Sequence, residues 1–304
     1  MKRRTFLTAA AGTVCGICAG KPRFAYGMAR PLKQPKETFK ISLAEWSIHK
    51  RLMGQEEPKL TNLDFALTAR SHDIDAIEYV NTFFNGKTDT TYMAEVKKRA
   101  GDYGVESRLI MCDGEGQVGD PDDSKRAQTV ENHHKWVDAA KYLGCFAIRV
   151  NAYSEGSYEE QMKLAADGLR RIGEYAAKQD IVVMVENHGK LSSDPNWLVG
   201  VIKQADLPNV GTLPDFGNFP EEVDRYEAVK QFMPYARAVS AKSLDFDENG
   251  NETTIDYPRM LKIVVDAGYH SFVGIEYGGK RLNEHEGIMA TKLLLDRILE
   301  QMSV

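Results

Sequence analysis

The stretch 182-VVMVENHGKLSS-193 opens with four apolar residues and turns, without a break, to a carboxylate, an amide, an imidazole and a glycine. A short continuous run of β-branched and apolar residues is the pattern of a strand buried on both faces, as in a parallel sheet. Its polar end, Glu186, Asn187 and His188, marks the place where the strand leaves the core.

The same pattern recurs along the chain. Eight runs share it: FKISLAEWS (39–47), IDAIEYVN (74–81), ESRLIMCDG (106–114), CFAIRVNA (145–152), IVVMVENHG (181–189), VGTLPDFGN (210–218), ARAVSAKS (236–243) and SFVGIEYGG (271–279). Marks near their ends, Trp46, Glu78, Cys112, Val150, Glu186, Asp215, Lys242 and Glu276, stand 27 to 38 residues apart, the size of one βα unit. Between them, segments such as YMAEVKKRAGDYG (92–104) and YEEQMKLAADGLRRIGEYAAKQD (158–180) carry apolar residues at helical spacing. Eight such units predict an α/β fold, a (β/α)8 TIM barrel over residues 37–304. An open doubly wound sheet is the rival, but no G-x-G-x-x-G follows the first strand.

Residues 1–36 read differently. MKRRTFLTAAAGTVCGICAG begins with basic residues and continues into a small apolar stretch, the layout of an export signal. Arg3-Arg4 before Thr5-Phe6-Leu7 resembles a twin-arginine signal, which implies an exported, periplasmic protein. Were it a lipoprotein leader, Cys15 or Cys18 would carry the lipid, although neither follows a Leu-Ala-Gly type box. No later stretch is long and apolar enough to span a membrane. With 42% hydrophobic and 27% charged residues the rest is ordinary globular sequence, and a net charge of −5 argues against nucleic acid as a partner. Cys112, near a strand end, and Cys145, near a strand start, would lie at opposite ends of the sheet, too far apart to bridge.

In a (β/α)8 barrel the chemistry sits at the C-terminal ends of the strands. The residues expected there are Trp46, His49, Glu78, Asn81, Asp113, Glu115, Arg149, Asn151, Glu186, Asn187, His188, Asp215, Asn218, Ser240, Lys242 and Glu276. So many ionisable groups must be paired, solvated or bound to a cation. Glu186, Asp215 and Glu276, on strands five, six and eight, would converge on the barrel axis and offer oxygen ligands to a divalent metal ion such as Mg²⁺ or Mn²⁺. A histidine or water would shift the set towards Mn, Co or Zn. The competing reading is that each carboxylate caps a helix or pairs with Arg149 or Lys242.

At this point the chain resembles the xylose-isomerase-like barrel superfamily of sugar isomerases, epimerases and endonuclease-type enzymes, from about residue 39 to 300. The carriers are VENHG, LPDFGNF, VSAKS, VGIEYGG, LAEWSIH, IEYVNTFF and RVN, which look like an exported branch of sugar phosphate isomerase/epimerase type. The resemblance implies one metal held by Glu186, Asp215 and Glu276, with Ser240 where the better-known branches carry a histidine. Ser240, His188 or water then completes the sphere, or the site is weakened or lost. It also implies proton removal beside a carbonyl, with Glu186 and Glu276 working from two faces of a small-molecule carbohydrate.

His188 is a further candidate base or a structural histidine, and Lys242 supplies charge to an enediolate or neutralises the carboxylates. Arg149, Asn151 and Asn218 fit hydroxyl recognition, with Trp46 and Tyr79 as stacking faces; ordinary barrel packing is the alternative for each. The expected function is therefore a metal-dependent isomerase or epimerase of a non-phosphorylated sugar. A lyase or hydratase acting on 3-keto glycosides by β-elimination and a non-catalytic sugar-binding barrel are the alternatives. A DNA repair endonuclease conflicts with the charge and the leader. A homodimer is an open expectation without an interface signature. Three weaker features complete the reading: His133-His134 as helix surface, DFDENGNE (245–252) as an acidic loop without the calcium-loop frame, and Asp113–Gly116 as a mobile rim loop whose glycines admit a ligand.

Overall fold

The computed structural model describes residues 38–302; the leader reading at 1–36 lies outside them. Eight parallel strands alternate with helices: β1 (Lys40–Ala44), α1 (His49–Leu52), α2 (Phe65–Ser71), β2 (Ala76–Val80), α3 (Thr90–Asp102), β3 (Glu106–Met111), α4 (Asp123–Leu143) and β4 (Ala147–Val150). They continue with α5 (Tyr158–Ala177), β5 (Val182–Glu186), α6 (Pro195–Ala205), β6 (Val210–Leu213), α7 (Arg225–Phe232), β7 (Val239–Ser243), α8 (Tyr257–Asp266), β8 (Phe272–Tyr277) and α9 (Glu284–Met302). The strand order is β6-β5-β4-β3-β2-β1-β8-β7. The circle closes between β6 and β7 through two isolated parallel bridges, Thr212 to Ala236 and Asp215 to Ser240. Pro214 has no N–H to give, so this seam is thinner than the other ladders; Ser240 N donates to its carbonyl at 2.9 Å. The fold is the (β/α)8 barrel that the eight runs predict.

Aspartates begin most of the helices. The side chains of Asp89, Asp122, Asp194, Asp224 and Asp256 accept from backbone N–H groups in the first turns of α3, α4, α6, α7 and α8. Ser157 and Glu160 form a capping box at α5. Many acidic residues therefore hold helix ends and are not part of the mouth.

Strand alternation sorts the remainder into two layers. Leu43, Ile77, Tyr79, Ile110, Cys112, Ile148, Val150, Val183 and Val185 face the helices in the main core. Ala44, Val80, Leu109, Met111, Ala147, Met184 and Leu213 fill the barrel interior. Continuing the inner set two residues further leads from Met111 to Asp113, from Ala147 to Arg149, from Met184 to Glu186 and from Leu213 to Asp215. The interior thus changes from apolar to charged as it rises to the mouth. Tyr79 is on the other parity: it is buried against the helix layer with its hydroxyl 3.0 Å from Ser107 Oγ, so it offers no stacking face to a sugar. Among the described residues no helix is long and apolar enough to cross a membrane, and Cys112 and Cys145 are buried and free.

Candidate metal and active site

Glu186, Asp215 and Glu276 are all buried, and each offers a carboxylate oxygen within 4.8 Å of the other two. Asp215 is fixed on every side. Its Oδ1 accepts from the backbone N–H of Gly217 and of Asn218, both at 2.8 Å, and its Oδ2 accepts from Ser240 Oγ at 2.7 Å. Glu276 accepts from Lys242 Nζ at 2.5 Å, with Ser240 Oγ 3.4 Å away. Gly217 makes room for that lysine, since a Cβ there would lie 2.6 Å from Lys242 Cγ. Glu186 accepts from Asn218 Nδ2 at 2.9 Å. Its other oxygen lies 2.8 Å from Arg149 Nε but out of line with the N–H, so it is buried with no aligned donor.

Arg149 continues the network, donating from Nη1 to Asp113 Oδ1 at 2.7 Å, where Asn151 Nδ2 also donates at 2.7 Å. Two asparagines hold the carboxylate-bearing loops in register. Asn81 exchanges two hydrogen bonds with the backbone of Asp113, both 2.9 Å, and Asn187 does the same with Asp215, at 2.8 and 3.1 Å. In each case the side-chain amide acts as a strand partner for an aspartate one βα unit later. Asn81, one of the residues expected at the mouth, is thus a clamp for the site.

Four carboxylates, Asp113, Glu186, Asp215 and Glu276, share the mouth with two cations, Arg149 and Lys242. Burial, then repulsion from Glu276 and Asp215, pushes Glu186 up to about 8 despite Arg149. Burial, then Glu276, raises Asp215 to about 6, against the pull of Lys242. Burial would raise Glu276 too, but the Lys242 ammonium outweighs it and holds that carboxyl below its usual range. For Asp113, burial is likewise outweighed by Arg149. The formal surplus of two negative charges, the convergent oxygens and the orphaned Glu186 oxygen fit a divalent cation held by Glu186, Asp215 and Glu276. Ser240, the other expected ligand, is engaged as a donor to Asp215. His188 is outside the cluster: its Nδ1 lies 2.9 Å from the Tyr153 hydroxyl, and its pKa is lowered by burial and by Arg149.

A cavity of about 350 Å³ opens above this group, lined by Trp46, Met53, Val80, Thr82, Asp113, Arg149, His188 and Glu276. His49 stacks on Trp46 at 4.9 Å and donates from Nδ1 to the Trp46 carbonyl at 2.7 Å, so it shapes the wall through Trp46. Glu78 lies lower, inside the barrel, where Ser42 Oγ donates to it at 2.5 Å; it is a buried interior group and does not reach the mouth as expected. Gly274 makes its space, because a Cβ there would sit 2.6 Å from both carboxylate oxygens. Gly274→Ala is therefore expected to cost about 1–3 kcal/mol by overpacking, seen as a lower urea midpoint; an unchanged midpoint would contradict this packing.

Other expectations are corrected as well. The Asp113–Gly116 loop is tied down by Trp136 Nε1 on Glu115 at 2.6 Å and Asn132 on the Glu115 carbonyl at 3.0 Å, and Gly116 makes room for Thr129, not for a ligand. His133 is buried, with Nδ1 2.7 Å from the Thr129 carbonyl. The 245–252 segment, by contrast, is a loop as expected, organised by Glu252 and Asp247 accepting from its own backbone. Tyr153 was not anticipated. It stands 35 residues before His188, one unit back in the barrel.

Comparison with known proteins agrees with the fold. An E. coli 3-keto-D-glucoside 4-epimerase superposes with a TM-score of 0.67 at 17% identity, covering 86% of this chain and 100% of that one. An L-ribulose 3-epimerase gives 0.69 at 15% identity, covering 86% and 95%. A C-glycoside deglycosidase alpha subunit from Arthrobacter globiformis is 43% identical over 47 residues, 16% of this chain and 13% of that protein. The family described as xylose isomerase-like TIM barrel matches residues 67–297, and the chain belongs to that family.

Proposed function

We propose that the protein is a metal-dependent isomerase or epimerase of a non-phosphorylated carbohydrate, moving a proton at a carbon next to a carbonyl. The observation that carries this reading is the meeting of Glu186 and Glu276, from β5 and β8, with Asp215 in one buried cluster beneath the cavity. A divalent ion, when bound, would supply Lewis-acid polarisation of a substrate oxygen. The two glutamates approach that space from different strands, which suits proton transfer on two faces of one carbon. Arg149 and Lys242 balance the carboxylates and fix their directions, and the cavity wall of Asp113, Arg149 and His188 offers groups for hydroxyls. The superposition on a 3-keto-glucoside epimerase and a ribulose epimerase supports carbohydrate as the substrate class.

Incubation with ketoses and 3-keto glucosides in D₂O, followed by NMR, tests the reading. Deuterium should enter beside the carbonyl; no exchange with any of them would sink it. A second reading, elimination from a 3-keto glycoside, is favoured by the short match to a deglycosidase subunit, and it predicts release of the aglycone in the same tubes. We further propose, on the leader reading at residues 1–36 alone, that the enzyme is exported, to be checked by fractionating cells that express the full chain.

The metal assignment makes its own prediction. Glu45, buried and bonded to Asn62 and the Val80 N–H, is raised to about 8, chiefly by burial; Glu78 is raised to about 7 for the same reason. With Glu186 and Asp215, these are acids whose folded values exceed their unfolded ones. Their stabilising contribution is complete at low pH and is lost as pH rises through about 6 to 8. In chelator, unfolding free energy should fall between pH 5.5 and 8.5 by on the order of 1 kcal/mol or more. Added Mn²⁺ or Mg²⁺ should restore at the upper end the part of the loss that comes from Glu186 and Asp215, leaving the part from Glu45 and Glu78, and the all-oxygen ligand set should favour these ions over Zn²⁺. A flat profile without metal, or no shift on adding it, would count against the site.

A further inference from the structure

The cavity above the carboxylates has two unlike walls. Asp113, Arg149, His188 and Glu276, from the ends of β3, β4, β5 and β8, give its charged and polar lining; Trp46, Met53 and Val80, from the ends of β1 and β2, give the apolar part, and Thr82 is the remaining lining residue. Met53 is 49% exposed, and of the large apolar side chains left exposed among the described residues it is the one that lines this cavity. An isolated exposed apolar side chain needs no explanation, but this one is held in place.

The turn that carries it is pinned by a buried carboxylate from the far end of the chain. Glu284 accepts from the Lys50 N–H at 2.6 Å and from Arg51 Nε at 2.8 Å, joining α1 to the start of α9. Behind Trp46, the buried Glu45 accepts from the Val80 N–H and from Asn62, both at 2.8 Å, tying the exit of β1 to β2. Two buried acidic side chains thus fix an apolar surface that faces open space. A surface fixed before binding loses little entropy when a ligand covers it.

A free sugar covering Trp46, Met53 and Val80 would find side-chain hydrogen bonds there only from the indole N–H and the nearby Thr82 hydroxyl, too few for its hydroxyl rim. Polar groups desolvated without a partner are costly. We propose that the site takes a glycoside with an aromatic aglycone, its sugar against the polar wall and its aryl group against Trp46 and Met53. Aromatic rings pack favourably on indole faces and on methionine sulfur. This inference rests on the carbohydrate reading of the site and narrows it to a substrate class.

The test is calorimetric titration of the full-length protein, loaded with Mn²⁺, with methyl and 4-nitrophenyl 3-keto-β-D-glucopyranosides, on the native chain and on Met53→Ser. Met53 is half exposed, so the variant should fold, which a melting curve verifies. The aryl compound should bind native protein at least about tenfold more tightly than the methyl one, ~1.4 kcal/mol. Met53→Ser should bring the two within about threefold of each other. Equal affinities in the native protein, or a preference untouched by the substitution, would overturn the aglycone subsite while leaving the carbohydrate reading in place. If neither compound binds, the carbohydrate reading fails and the subsite falls with it.

Discussion

Glu276→Gln should lower the rate of deuterium exchange into substrate by about 10²- to 10⁴-fold, the usual contribution of a positioned acid–base group. The substitution keeps the shape of the side chain and an oxygen that can accept from Lys242, now 2.5 Å away, so the loss would report chemistry and not collapse. It removes both a proton acceptor and a charged oxygen from the cluster with Glu186 and Asp215. The companion variant Glu186→Gln separates the two proposed reactions. In an epimerase that works from two faces, either glutamine abolishes conversion. In an elimination, one of the two variants should still exchange deuterium while releasing no aglycone. A Glu276→Gln protein within about fivefold of the native rate would remove Glu276 from the mechanism.

The second large effect is on stability. Arg149→Met should cost about 3–5 kcal/mol in urea denaturation at neutral pH, because it breaks a buried ion-pair network by removing its cation. Arg149 reaches Glu186 at 2.8 Å and Asp113 at 2.7 Å, and is itself buried. Without it, Asp113 keeps only the Asn151 amide and its backbone clamp, and Glu186 keeps only the Asn218 amide. Arg149→Lys should recover little, since a single ammonium cannot fork to both carboxylates. Pairing Arg149→Met with Glu186→Gln should return part of the loss, as expected when the cost is an unbalanced charge. A loss below about 1 kcal/mol would mean that the network is solvated and not the buried cluster described above.

Most of the barrel was legible in the sequence because each strand is a continuous apolar run with a polar end, and that contrast survives without any partner in view. Glu186, Asp215 and Glu276 were legible for the same reason. Their depth was less so. Glu78 and Tyr79 are adjacent in one strand, so alternation alone forbids both from facing the mouth; in fact one enters the barrel interior and the other the helix layer. The roles of Asn81 and Asn187 depend on backbone groups 32 and 28 residues away, which only the folded register brings together. Glu284, which pins the turn below Met53 from 234 positions along the chain, carries no local signal at all. Tyr153 beside His188 could have been found by looking one βα unit back, the same step that relates each asparagine to its aspartate.

The seam between β6 and β7 has a further meaning for the molecule. One of its two bridges pairs Asp215 with Ser240, and the serine hydroxyl bonds to that same aspartate. The ring of strands and the cluster of oxygens are therefore completed by a single joint. An open sheet with every other ladder intact would still lack the site, because Asp215 would have left Ser240 and the side of the barrel that holds Glu276. By mass action, whatever grips carboxylates on both sides of that joint also holds the barrel shut.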